Sequence, residues 1–251
     1  MSVIPGAEAF TRDGGPVGVL LCHGFTGTPQ SMRPWAEYLA DAGLTVSVPR
    51  LPGHGTTWQD LATTGSRDWY ATAEQAFTEL SGRCEQVFIT GISMGGCLAF
   101  RLAETQGAKV SGLVVVNPSL APDTRLFVLA PILKHVNVSV KGIAGNIKKP
   151  GASEGGYQRV PLKAAGTLPE LWKLTTRQLA GVTQPVRVYR STVDHVVGPA
   201  SMQVLTAALP AAEVVPLPDS YHVATLDNDA PAIFDGTLAF IKEHTAAGKR
   251  V

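Results

Sequence analysis

A doubly wound α/β fold, with a mostly parallel sheet and one inserted cap, is predicted by three observations on the 251-residue chain. Short apolar runs alternate with longer segments of helical period, the pattern of successive βαβ units. One of those runs leads straight into Gly91-Ile92-Ser93-Met94-Gly95-Gly96, a strand-turn-helix sequence centred on a serine. A single long interval then breaks an otherwise regular rhythm.

The strands expected in order are VGVLLC (17–22), TVSV (45–48), QVFIT (86–90), VSGLVVV (110–116), PVRVYRS (185–191) and AEVVPL (212–217). Helices are expected between them, over about 31–42, 67–81, 94–106, 168–180, 199–209 and 229–245. About 50 residues separate Val116 from the helix near Leu168, far more than a βα connection needs. Residues 119–165 are therefore read as an inserted cap on a single domain spanning 1–251, because one hydrophobic core can serve roughly 250 residues. The first part of the cap, LFVLAPILKHVNVSV, is apolar, and KKPGASEGGYQR is polar and Gly-rich. An insertion of that length reads either as a surface excursion that completes the core or as a lid with an apolar face over a site, and the lid is the favoured reading because long ordered insertions in compact domains are usually functional.

Composition narrows the function classes. Twenty-one basic and 20 acidic residues leave a net charge of +1, and no basic run builds the surface that nucleic acid requires. No stretch reaches the roughly 18 apolar residues of a membrane span, and MSVIPGAEAF lacks the basic start and apolar run of a secretory signal. The expectation is a soluble, cytoplasmic protein. Cys22, Cys84 and Cys97 are odd in number and lie in apolar surroundings, so buried thiols are expected instead of a disulfide framework. No CxxC or HExxH spacing suggests a metal, and no cofactor is expected.

The serine turn carries the chemistry. A residue on a sharp strand-to-helix turn needs small neighbours, here Gly91 and Gly95, and its hydroxyl then projects above the sheet. The helix opening beneath it offers free N–H groups to developing negative charge. Ser93 is thus the candidate nucleophile. His222, between the last strand and the terminal helix, is the candidate base, because its loop can reach the turn. His23, His54, His135, His195 and His244 fall at positions less suited to that role. Asp194 follows the preceding strand, PVRVYRS, and is the candidate acid; Asp219 competes through its nearness to His222, but an acid three residues away fits better in ordering the loop. His23-Gly24-Phe25-Thr26-Gly27 follows the first strong strand and offers the Phe25 N–H to join the Met94 N–H in an oxyanion hole.

Taken together, LLCHGFTGTPQSMRPWAEYLADAG, PRLPGHG, GISMGG, DHVV and SYHVATLD resemble the bacterial monoacylglycerol lipases and related small carboxylesterases of the α/β-hydrolase superfamily over nearly the whole chain. The resemblance implies an α/β-hydrolase fold, a short cap and a single-chain lipid ester as substrate. It also implies that a cap glutamate, matching Glu154 in Lys149-Pro150-Gly151-Ala152-Ser153-Glu154-Gly155-Gly156-Tyr157, receives the glycerol hydroxyls. Leu126, Phe127, Leu129 and Ile132 are the expected acyl-chain contacts, and the apolar cap offers a surface for weak contact with membranes or micelles. The same triad would equally serve a broad carboxylesterase or thioesterase, and a fold-sharing ligand binder without turnover is the reading from another class.

Overall fold

The computed structural model describes residues 2–122, 132, 135, 138–142 and 145–247. Its centre is a seven-stranded sheet in the order β1-β3-β2-β4-β5-β8-β9. The strands are β1 (Phe10–Arg12), β2 (Val17–Cys22), β3 (Thr45–Val48), β4 (Gln86–Ile92), β5 (Val110–Val116), β8 (Val186–Ser191) and β9 (Glu213–Leu217). All neighbours pair in parallel except β1, which runs antiparallel along β3. A separate hairpin joins β6 (Ser139–Lys141) to β7 (Arg159–Pro161), inside the segment expected to form the cap.

Period-two alternation explains why these runs are strands with two buried faces. Leu20, Cys22, Val87, Ile89, Leu113, Val115 and Val188 point to one apolar layer; Val19, Leu21, Phe88, Val114, Val116 and Tyr189 point to the other. The first layer is closed by helices α3 (Ser66–Ser81) and α4 (Met94–Gln106), with Trp69, Phe77 and Phe100 wholly buried. The second is closed by α1 (Arg33–Asp41), which buries Trp35, Ala36, Leu39 and Ala40 as an i, i+4 stripe, and by the terminal helix α8 (Ala230–Ala247). Each large apolar side chain so buried contributes about 1.5–3 kcal/mol.

The remaining helices are α2 (Trp58–Leu61), α5 (Leu162–Ala165), α6 (Leu168–Thr176) and α7 (Pro199–Ala208). Chain order reverses at β2, since β3 lies on one side of it and β4 on the other. The crevice at the carboxyl ends of β2 and β4 is therefore the switch point at which open α/β sheets bind ligands. The loop after Cys22 and the turn at Ser93 both open into it.

Candidate active site

Ser93 stands at φ +55°, ψ −120°, a left-handed conformation that a non-glycine residue adopts only when its surroundings enforce it. They do. The Ser93 N–H donates to Val116 O at 3.0 Å, and the Ser93 carbonyl accepts from Gly96 N and Ser119 N, each at 3.0 Å. A Cβ on Gly91 would run into the backbone of Gly95, and one on Gly95 would run into the Cys22 carbonyl. Only glycine permits β4, the turn and β2 to approach this closely.

The second donor loop lies beside the first. A Cβ placed on Gly24 would be 3.4 Å from Ser93 Cβ and 4.0 Å from its Oγ. Neither the Phe25 nor the Met94 N–H donates to another group among the described residues. The Phe25 ring is packed against Trp69 and His54, with centroids 5.4 and 6.2 Å away, which fixes the loop from behind. His23 serves the loop as expected of a structural histidine: buried, its Nδ1 lies 2.9 Å from Gly24 O and its Nε2 accepts the Leu51 N–H at 3.2 Å. Burial lowers its pKa to about 4, and His54, buried beside it, is held well below the usual histidine range for the same reason.

His222 Nδ1 lies 3.0 Å from Asp194 Oδ2, and both side chains are almost wholly buried. An ionised carboxylate can only accept, so Nδ1 is the donor, and in the neutral imidazole Nε2 is the nitrogen with the lone pair. Burial alone would raise the Asp194 pKa; bonds from His222 and from the Val197 and Val196 amides outweigh it and hold the carboxyl below its ordinary value. Asp219, the competing acid, instead pairs with Lys148 Nζ at 2.6 Å.

Sequence reasoning missed three residues in this frame. Arg190 Nη1 donates to the same Asp194 Oδ2 at 2.8 Å, and its Nη2 reaches Val197 O at 2.6 Å, so one guanidinium fixes both the acid and its loop. Asn117, fully buried at φ +44°, donates to Ser191 Oγ and His222 O, each at 2.9 Å, and accepts the Ser191 N–H. Asn146, in the cap segment, accepts the His222 N–H at 3.0 Å. An arginine on a strand and two loop asparagines carry no spacing that would have singled them out.

Ser93 and His222 line one cavity of about 340 Å³, together with Phe25, Met94, Ile92 and Ser119. Its other walls include Val140, Val160, Leu162, Ala165, Leu168 and Trp172, so the hairpin and α5 and α6 supply the apolar surface. Glu154 also lines it; its Oε1 accepts the Gly145 N–H at 2.8 Å, and its Oε2 lies 3.6 Å from where a Cβ on Gly27 would be. Gly155 adopts φ +62° directly after it, and Tyr157 ties the segment to the donor loop through its N–H to Thr26 O at 3.0 Å. Leu126, Phe127 and Leu129 lie outside the described residues. Ile132 is 63% exposed and is not among the cavity-lining residues, contrary to the expected acyl contact; among the described residues the apolar wall comes mainly from the hairpin, α5 and α6.

No described helix is long and apolar enough to cross a membrane, and among the described residues no group of three His, Cys, Asp or Glu could hold a metal. The three cysteines are free; Cys22 and Cys97 are buried as expected, whereas Cys84 is only half-buried.

Residues 19–248 match the model of the alpha/beta hydrolase family. The chain is 38% identical over 247 residues to a thermostable monoacylglycerol lipase of Bacillus sp. (strain H-257), covering 96% of this chain and 97% of that one. It is 24% identical over 250 residues to a carboxylesterase of Bacillus subtilis (strain 168), covering 94% and 96%. Among solved structures, one of two metagenome-derived lipolytic enzymes superposes with a TM-score of 0.93 at 37% identity, over 97% of this chain and 100% of that one.

Proposed function

The chain belongs to the alpha/beta hydrolase family, and from that premise we propose that it is a serine hydrolase that cleaves monoacylglycerols to fatty acid and glycerol. The observation that carries this reading is the shared cavity. Ser93 and an Asp194-held His222 line its reactive end, apolar cap residues line its walls, and one carboxylate, Glu154, stands among them. That combination suits a molecule with an acyl chain, an ester and a small hydroxylated head.

In the reaction, Ser93 Oγ attacks the ester carbonyl carbon while His222 Nε2 takes its proton. The carbonyl π electrons move to oxygen, and the Phe25 and Met94 N–H groups hold the resulting oxyanion; losing one such donor typically lowers rate about 10²- to 10³-fold. The intermediate collapses, the C–O bond to glycerol breaks, and His222 returns the proton to the leaving oxygen. Water, activated by the same imidazole, attacks the acyl-Ser93 carbonyl, releasing fatty acid and restoring the serine. Throughout, Asp194 stabilises the imidazolium. Glu154 Oε2 accepts hydrogen bonds from the glycerol hydroxyls, while its Oε1 remains on Gly145. Three free thiols fit a reducing compartment such as the cytoplasm.

A substrate panel crossing head group with chain length tests the assignment. Monoacylglycerols should exceed alkyl esters of equal acyl length in kcat/KM, and Glu154→Gln should reduce that preference about tenfold or more, as expected for loss of charge-assisted hydrogen bonds. Equal kcat/KM on the two ester classes in wild type would make the enzyme a carboxylesterase without glycerol preference, and a preference left as it is by Glu154→Gln would remove Glu154 from the head-group site.

A further inference from the structure

The loop that carries His222 is held by the cap. Asn146 meets it twice: its side-chain Oδ1 accepts the His222 N–H at 3.0 Å, and its main-chain carbonyl accepts the Val223 N–H, also at 3.0 Å. Its Nδ2 lies 3.1 Å from His195 Nδ1, on the residue next to Asp194. One side chain thus touches the loop of the base and the loop of the acid.

The strap on which Asn146 sits is anchored at both ends. Downstream, the Asp227 carboxylate accepts from Lys148 N at 2.6 Å and Lys149 N at 2.8 Å, and also from Tyr221 N and Asn228 N of the histidine loop. Lys148 Nζ pairs with Asp219, and Ile147 packs on the apolar layer that contains Val223. Upstream, the Gly145 N–H is held by Glu154 Oε1. Two hydrogen bonds joined by the Gly145–Asn146 peptide link therefore connect Glu154 to the backbone of His222.

Resting on the assignment of His222 as base, we propose that Asn146 is a positioning residue. It fixes the His222 backbone at the height where the ring can meet Asp194 and Ser93 together. The acid holds the ring through Nδ1; at the main chain of the same residue, Asn117 holds the His222 carbonyl and Asn146 holds its N–H from the cap side. Misplacement of a reacting group by about 1 Å can lower rate about 10²-fold, so two main-chain restraints on the base are enough to set turnover. Asn146 does not line the cavity, so its effect is on the chemical step and not on substrate binding.

The test compares Asn146→Ala with Asn146→Asp, which keeps an oxygen acceptor, on p-nitrophenyl butyrate and on a monoacylglycerol. Asn146→Ala should lower kcat about tenfold or more on both substrates with KM within about threefold, and fluorophosphonate labelling of Ser93 should slow by the same factor. Asn146→Asp should recover most of that loss. A kcat for Asn146→Ala within about twofold of wild type, a loss confined to the monoacylglycerol, or an Asn146→Asp variant as slow as Asn146→Ala would each overturn the proposal. Hydrogen exchange on the unaltered protein covers the case in which Asn146→Ala does not fold: the His222 and Val223 amides should be protected, and exchange at the solvent rate would overturn it. Labelling at Ser93 in every variant keeps the serine-hydrolase reading intact whatever the outcome for Asn146.

Discussion

Asp194 Oδ2 receives His222 Nδ1 at 3.0 Å and Arg190 Nη1 at 2.8 Å, so one oxygen of the acid serves both the imidazole and a guanidinium. The other oxygen is taken by the Val196 and Val197 amides. A carboxylate saturated in this way has one orientation, and it holds the His222 ring through Nδ1.

Asp194→Asn should therefore lower kcat by about 10³- to 10⁴-fold while the fold persists, because an amide can turn its NH₂ to the ring and reverse the tautomer. Steady-state kinetics with far-UV circular dichroism as a control checks this; a loss below about tenfold would point to a different acid.

Gly95→Ala should destabilise the protein by about 3 kcal/mol or more, because the added methyl enters the Cys22 carbonyl where backbone must move on both sides. Urea unfolding measures it. A loss under about 0.5 kcal/mol, the range of ordinary surface substitutions, would mean that the turn is far less tightly packed.

The buried histidines set the acid side of stability. His23 has a folded pKa of about 4 against an unfolded value near 6.5, so below 6.5 the unfolded chain takes up the proton more readily. Stability from this group is complete above about pH 6.5 and falls as pH drops toward 4, by about 3 kcal/mol in all, with His54 shifted in the same direction. Urea midpoints at pH 7.5, 5.5 and 4.5 should decline in that order, and a flat profile would show that the pair is not buried as described.

Much of this was legible in the amino-acid order. The strands at 17–22, 45–48 and 110–116 fall where apolar runs placed them, because strands buried on both faces are mostly apolar along their length. β1 and the hairpin of β6 and β7 escaped notice: Phe10-Thr11-Arg12 and its like are three residues long and are strands only because a neighbour offers an edge. Likewise, Ser93, Asp194 and His222 are singled out as candidates by their positions relative to strands. Arg190, Asn117 and Asn146 do not, since their roles depend on which loops the fold brings within hydrogen-bond reach. Ile132 shows the limit from the other side, an apolar residue in an apolar run that faces outward at 63% exposure.

Placement of a reactive hydroxyl at Ser93 is the claim on which all else stands, and covalent capture measures it most directly. Incubation with a fluorophosphonate followed by peptide mass mapping should put one adduct on Ser93, with none on Ser93→Ala, and that variant should hydrolyse p-nitrophenyl butyrate at least about 10³-fold more slowly than wild type while keeping its thermal midpoint. Undiminished hydrolysis by Ser93→Ala, or an adduct on another residue, would contradict it.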